Sequence, residues 1–169
     1  MPKNAHFWIQ HLNLIQHPEG GYYREVYRSD EFIQKKGLPE RYSSFRSFST
    51  SIYFLLESKQ FSAFHRIKSD ETWHFYKGSP LSLYIILQNG KLITVKLGQN
   101  PEQKELFQFT VPKGSWFASC PILSGSFSLA GCTVAPGFDF DDFEMGSKSK
   151  LLKKFPQHAK LINELCILD

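Results

Sequence analysis

Long apolar runs, paired cysteines and a surplus of one charge are what this sequence lacks, and each absence removes a class of protein. No segment approaches the ~20 apolar residues that a membrane-spanning helix needs. The opening Met1-Pro-Lys-Asn has no apolar core of the secretory type. Cys120, Cys132 and Cys166 form an odd set without CxxC spacing. They sit among small or apolar neighbours, which predicts buried reduced thiols rather than a disulfide framework. Twenty Lys and Arg against sixteen Asp and Glu leave a formal charge of only +4. The basic residues are dispersed except at Lys148, Lys150, Lys153 and Lys154, which read as the solvated face of a helix. P-loop, dinucleotide fingerprint and nucleophile elbow are also missing, the last despite Ser115, Ser119 and Cys120. These absences predict a cytoplasmic protein whose partners are neither membrane nor nucleic acid.

Aromatic residues are abundant. Sixteen Phe and seven Tyr among 169 residues favour strands and an aromatic-walled interior, and the length suits one domain with a sizeable core. Asn4 is placed to cap a short helix with Ala5, Trp8, Ile9 and Leu12 on one face. The paired glycines of His17-Pro-Glu-Gly-Gly21 then demand a turn. Residues 22–28 alternate aromatic and charged side chains as a strand does, and 30–41 read as a loop. From Ser49 onward, short runs suited to strands follow one another to Val134, and Asn89-Gly90 marks a hairpin. Roughly eight or nine strands with no helices between them exclude a parallel α/β sheet and predict an all-β sandwich or barrel. The C-terminal segment is helical, with Leu151, Leu152 and Phe155 as one patch. Pro156 opens a last helix that buries His158, Leu161, Ile162 and Leu165. The chain divides into an N-terminal arm (about 1–48), a β core (about 49–145) and C-terminal helices (about 147–167) within one domain.

The stretch from His65 to Gly78 carries the chemistry. If one strand ends near Lys68 and the next begins at Thr72, His65 and Glu71 point into one cavity. His65 is then a general base and Glu71 its charge partner, raising the imidazole pKa and fixing its tautomer. Tyr53 is a proton donor for the opposite side of a ring substrate, and such a base-plus-acid pair is what an epimerase requires. The same two residues also read as a buried ion pair tethering two strands. Trp73 shares the alternation of Glu71, and Trp116 follows a turn. Both are read as flat walls for a sugar ring or nucleobase, while Phe64 and Phe75 are read as core. Glu19 and Arg24 are placed to close over the barrel mouth and bind polar groups; otherwise their segment is a glycine turn into an edge strand. Arg28 reads as a solvated strand residue. Asp139, Asp141, Asp142 and Glu144 lack EF-hand spacing and read as an acidic rim over Phe138, Phe140 and Phe143.

Glu71-x6-Gly78, with His65 before it and Pro112-x-Gly114 after it, resembles the two signature motifs of the cupin superfamily. A small, poorly characterised branch of that superfamily, long described as a domain of unknown function, resembles the chain more closely. The similarity lies in His17-Pro-Glu-Gly-Gly-Tyr22, Phe64-His-Arg66, Asp70-Glu-Thr-Trp-His74, Val111-Pro-x-Gly-x-Trp116 and Gly131-Cys-x-Val-x-Pro-Gly-Phe-Asp-Phe-x-Asp-Phe-Glu144. The resemblance implies an antiparallel jelly roll (a double-stranded β-helix) with short flanking α-helices, assembled as a homodimer with exchanged N-terminal strands. It supplies no reaction, because the fold hosts deoxysugar-nucleotide epimerases, metal-dependent enzymes and storage proteins alike. In metal-binding cupins, two histidines two residues apart, a glutamate and a third histidine hold the ion. Here His65 and Glu71 match, but Ile67 and Phe117 stand in the other positions. Two ligands are fewer than the three of typical catalytic sites, so no cofactor is predicted and Phe117 joins the ligand-binding wall. Were a divalent metal to bind, the set would be His65, Glu71 and His74, although an odd offset turns His74 to the opposite face from Glu71. The expected function is binding of a small carbohydrate-like or nucleotide-linked metabolite by a metal-independent epimerase or isomerase. The alternatives are a non-catalytic small-molecule module and a metal-dependent cupin enzyme.

Overall fold

Alternating side chains along each strand leave one apolar face per sheet, and two sheets bury those faces against each other. The computed structural model describes residues 3–167 and 169. Its strands are β1 (Ile15–Gln16), β2 (Tyr22–Arg28), β3 (Phe32–Ile33), β4 (Arg46–Ser47), β5 (Thr50–Glu57), β6 (Ser62–Arg66) and β7 (Asp70–Gly78). They continue as β8 (Leu81–Ile86), β9 (Leu92–Leu97), β10 (Gln108–Val111), β11 (Trp116–Pro121), β12 (Phe127–Ala135) and β13 (Glu144–Met145). One sheet runs β1-β2-β5-β12-β7-β10 and the other β13-β6-β11-β8-β9. All their strand pairs are antiparallel, and the result is the all-β jelly roll with short flanking helices.

Between the sheets lies an apolar core that includes Phe54, Leu56, Trp73, Phe75, Leu83, Ile85 and Phe117. Burying each such side chain contributes roughly 1.5–3 kcal/mol before entropy is charged against it. The helices cover the outer faces. Helix α1 (Ala5–His11) starts where the Asn4 side chain accepts from the Phe7 amide at 2.9 Å. Its Trp8 and Ile9 pack on Leu55 and Leu129 of the six-stranded sheet. Helices α2 (Lys148–Lys154) and α3 (Ala159–Leu165) place Leu151, Ile162 and Leu165 on Phe64, Trp116 and Ala118 of the other sheet.

Two local readings change. The segment read as a loop over 30–41 contains β3, which pairs with β4, and a 3₁₀ turn at Lys35–Gly37. Pro156 opens a 3₁₀ turn rather than the last helix itself, which begins at Ala159. The Asn89-Gly90 hairpin forms as the spacing predicts, joining β8 to β9 in the register Ile86↔Leu92.

Candidate functional site

One end of the barrel is filled by core and the other opens on a cavity of about 420 Å³. Inward positions at two-residue spacing build its walls: Tyr23 and Glu25 on β2, Thr50 and Ile52 on β5, Cys132 and Val134 on β12. His65 enters from β6 and Glu71 from β7. Glu71 lies opposite Val134 on one side and Val111 on the other.

The N-terminal arm supplies His17 and Glu19. Their turn depends on Gly20, whose φ of +106° disfavours any side chain and whose missing Cβ would collide with the Phe61 carbonyl oxygen. The Ala63 amide donates to the Glu19 carbonyl at 2.8 Å, so the arm is tied to β6 and the Glu19 side chain is driven inward.

Glu19 is the hub of the buried polar groups. The Ser62 hydroxyl donates to its Oε1 at 2.8 Å, and its Oε2 lies 3.1 Å from Nε2 of His65 and 3.5 Å from Nδ1 of His17. Nδ1 of His65 lies 2.7 Å from the Ala63 carbonyl, which can only accept. Nδ1 therefore carries hydrogen, and the neutral ring has a lone pair on Nε2. Burial holds the imidazole in that form, lowering its pKa to about 3. Burial also raises the Glu19 carboxyl well above its ordinary range, with the nearby Glu71 charge adding to the effect. Both directions favour the uncharged pair, with the shared hydrogen on the Glu19 carboxyl. His17 accepts from the Glu19 amide at 3.2 Å, and burial takes its pKa to about 4. Across the cavity Glu71 is pushed up to about 7 by burial, opposed by a hydrogen bond with the Cys132 thiol.

An aromatic loop borders the mouth. Phe138, Phe140 and Phe143 pack edge to face at 5.0–6.3 Å, with Phe140 and Phe143 also against His17. The loop is pinned by Arg46, 1% exposed, which donates from Nε and Nη2 to the two oxygens of Asp142 at 2.6 Å each. Arg28 is exposed, as read, and also lines the cavity; it donates to both oxygens of Glu25 at 2.9 and 2.7 Å and to the Phe138 carbonyl at 3.1 Å.

Of the residues singled out in the sequence, the structure brings together His65, Glu71 and Glu19. The carboxylate partner of His65 is Glu19 and not Glu71, and the imidazole pKa falls rather than rises because burial outweighs the hydrogen bond to the Ala63 carbonyl. Tyr53 lies on the outer face beneath α1, beside Tyr76, and does not reach the cavity. Trp73 does point inward, but it sits in the filled part of the barrel, edge to face with Phe54 and Phe117. Phe117 backs the His65 ring at 4.1 Å without lining the cavity. Trp116 faces the other way, under the C-terminal helices, with the Arg66 guanidinium 4.6 Å above its ring. Arg24 turns outward to the Leu12 carbonyl, and His74 turns outward to Thr133 at 3.1 Å. The cavity residues without a site role in the sequence reading include His17, Tyr23, Arg28 and Cys132. The alternation of 22–28 held the signal for Tyr23, and the Pro-Glu-Gly-Gly turn held it for His17.

The donors do not fit a cupin metal. Ile67 lines the cavity where a second histidine would stand, and Phe117 replaces the third. His65 directs its free nitrogen at the Glu19 acid. Among the described residues, no group of three or more His, Cys, Asp or Glu side chains is disposed to surround an ion.

The family model described as Cupin superfamily (DUF985), Cupin_5, matches residues 6–146. The chain belongs to this cupin family. Protein SO0799 from Shewanella oneidensis is 41% identical to this cupin and superposes with a TM-score of 0.90, covering 99% of this chain and 100% of that one. A hypothetical protein from Leishmania major is 37% identical at a TM-score of 0.88, covering 96% and 98%. Uncharacterized protein YML079W of Saccharomyces cerevisiae is 28% identical over 150 residues, 83% of this cupin and 74% of the yeast protein. Oxalate decarboxylase from Bacillus subtilis, at 15% identity and a TM-score of 0.55, shares the fold; the cupin spans 37% of its length.

Proposed function

We propose that this cupin binds a small carbohydrate-like metabolite in the barrel cavity and isomerises it without a metal, with Glu19 and His65 acting as one proton-exchanging pair. The observation that carries this reading is the buried 3.1 Å contact between Glu19 Oε2 and His65 Nε2. A carbonyl-bearing substrate seated against the pair meets an acid and a base side by side. Glu19 gives its proton to the carbonyl oxygen while Nε2 of His65 takes one from the adjacent carbon. The C–H electrons become the C=C bond and the carbonyl π electrons become the O–H bond, leaving an enol. His65 then returns its proton to the former carbonyl carbon while the Glu19 carboxylate takes the hydrogen from the hydroxyl on the carbon first deprotonated, whose C–O bond becomes the new carbonyl. The product is the aldose–ketose isomer, and the pair ends with the proton count it began with. Ser62 and the Ala63 carbonyl hold the two side chains in register.

The test is deuterium uptake, by proton NMR, from D2O into a panel of aldoses and ketoses. The wild-type protein is expected to exchange the hydrogen beside the carbonyl. His65→Asn and Glu19→Gln are each expected to lower that rate by roughly 10²–10⁴-fold with unchanged circular dichroism. A sugar that saturates the cavity without exchanging would refute the enzyme reading.

That outcome would leave the second reading, a non-catalytic binding module. It is favoured by the same burial that holds His65 at about 3, far from the neutral range where proton transfer works best.

A further inference from the structure

Glu71 is a buried carboxylate that the fold leaves without a counter-charge. It is 8% exposed and lines the cavity, and its polar neighbour is the weakly bonding Cys132 thiol. Glu25 has Arg28 and Asp142 has Arg46 and Lys68, while the Glu19 acid is satisfied by hydrogen-bond contacts with His65 and Ser62. No Lys, Arg or His among the described residues pairs with Glu71. Isolated buried charges are costly unless paired, so a cationic ligand group has most to gain at this position. The rest of the cavity points the same way. Carboxylates outnumber cations in its lining even with Glu19 set aside as a neutral acid, since Glu25, Glu71 and Asp139 face one arginine, Arg28, whose guanidinium already serves Glu25 and the Phe138 carbonyl. Tyr23, Phe138, Phe140 and Phe143 add rings whose faces attract an ammonium.

We propose that the ligand carries a protonated amine that docks on Glu71, and that the cavity refuses phosphorylated and nucleotide-linked molecules. This rests on the cavity being the ligand site. It gives the metabolite a class, a small amine-bearing ring compound, and gives Glu71 an anchoring role beside the Glu19–His65 pair.

Three probes of one ring and three charges test it: cyclohexylamine, cyclohexanol and cyclohexanecarboxylate, titrated by saturation-transfer NMR against the wild type and Glu71→Gln. The amine is expected to bind about tenfold more tightly than the alcohol, and the carboxylate not to saturate. Glu71→Gln should erase the amine's advantage and leave the alcohol unchanged. Carboxylate binding equal to that of the amine, or an amine preference that survives Glu71→Gln, overturns the charge selection alone. Saturation by none of the three overturns the small-molecule cavity as well. Should Glu71→Gln not fold, the wild-type ranking by charge decides.

Discussion

Burial acts in opposite directions on four groups that share one cavity. It holds His65 at about 3 and His17 at about 4, and lifts Glu71 to about 7 and Glu19 well above its ordinary range. The histidines lie below their unfolded value of 6.5, so their contribution to stability is full above that pH and is lost as pH falls towards 4 and 3. The carboxyls lie above 4.5, so their contribution is full below that pH and is lost as pH rises through 7. The two slopes oppose each other between about 4.5 and 6.5, and above that window only the carboxyl loss remains. Glu71→Gln removes the group that must charge in a buried site. At pH 8 the variant is expected to be more stable than wild type by ~1–3 kcal/mol, a gap that closes towards pH 4.5. Urea denaturation across that range measures it, and a gap independent of pH would show that burial of Glu71 is not its origin. At this scale the sequence told half the story. The spacing of His65 and Glu71 showed both facing one cavity, but not that Glu19 on a distant segment would take the imidazole first.

Strands and turns were legible because their signals are local: an Asn4 cap, an Asn-Gly hairpin, two-residue alternation. What a strand's phase and a loop's landing place depend on is tertiary, and there the reading failed. Trp116 and Phe117 are adjacent on β11, so the strand turns one towards His65 and the other to the C-terminal helices; no residue near the Pro112–Gly114 turn sets which. The β1–β2 connection likewise looked like a glycine turn, and it is one, yet its outcome is a carboxylic acid laid into a barrel built by later strands. Its geometry hangs on Gly20. Gly20→Ala places a Cβ at positive φ and against the Phe61 carbonyl oxygen, and is expected to cost about 1–3 kcal/mol. Because the strap carries Glu19, the variant should also shift the His65 ring resonances in a heteronuclear NMR spectrum. An unmoved His65 signal in a folded Gly20→Ala protein would mean that Glu19 reaches the imidazole by some other route.

For the molecule as a whole, the jelly roll was legible because number of strands, absence of intervening helices and family motifs agree on it. The division of the barrel between core and cavity was not, since inward-pointing aromatics look alike in sequence whether they plug one end, as Trp73 and Phe117 do, or border the other, as Phe143 does. The sheets also leave a free edge. Strand β2 pairs with β5 along one side, while β1 covers only Tyr22 and Tyr23 on the other, so Arg24–Arg28 has no neighbouring strand among the described residues. Val26 and Tyr27 on that stretch are 47% and 54% exposed. An uncovered edge with apolar side chains is a template for another strand, and we propose that a second copy of the chain pairs there. Sedimentation equilibrium is expected to give twice the 19.6 kDa chain mass, and Val26→Lys, which sets a charge on the edge, should return the protein to one chain. A wild-type monomer would rule the pairing out. A dimer indifferent to Val26→Lys would move the contact to another face, and the N-terminal arm that delivers Glu19 would then be held by its own barrel alone.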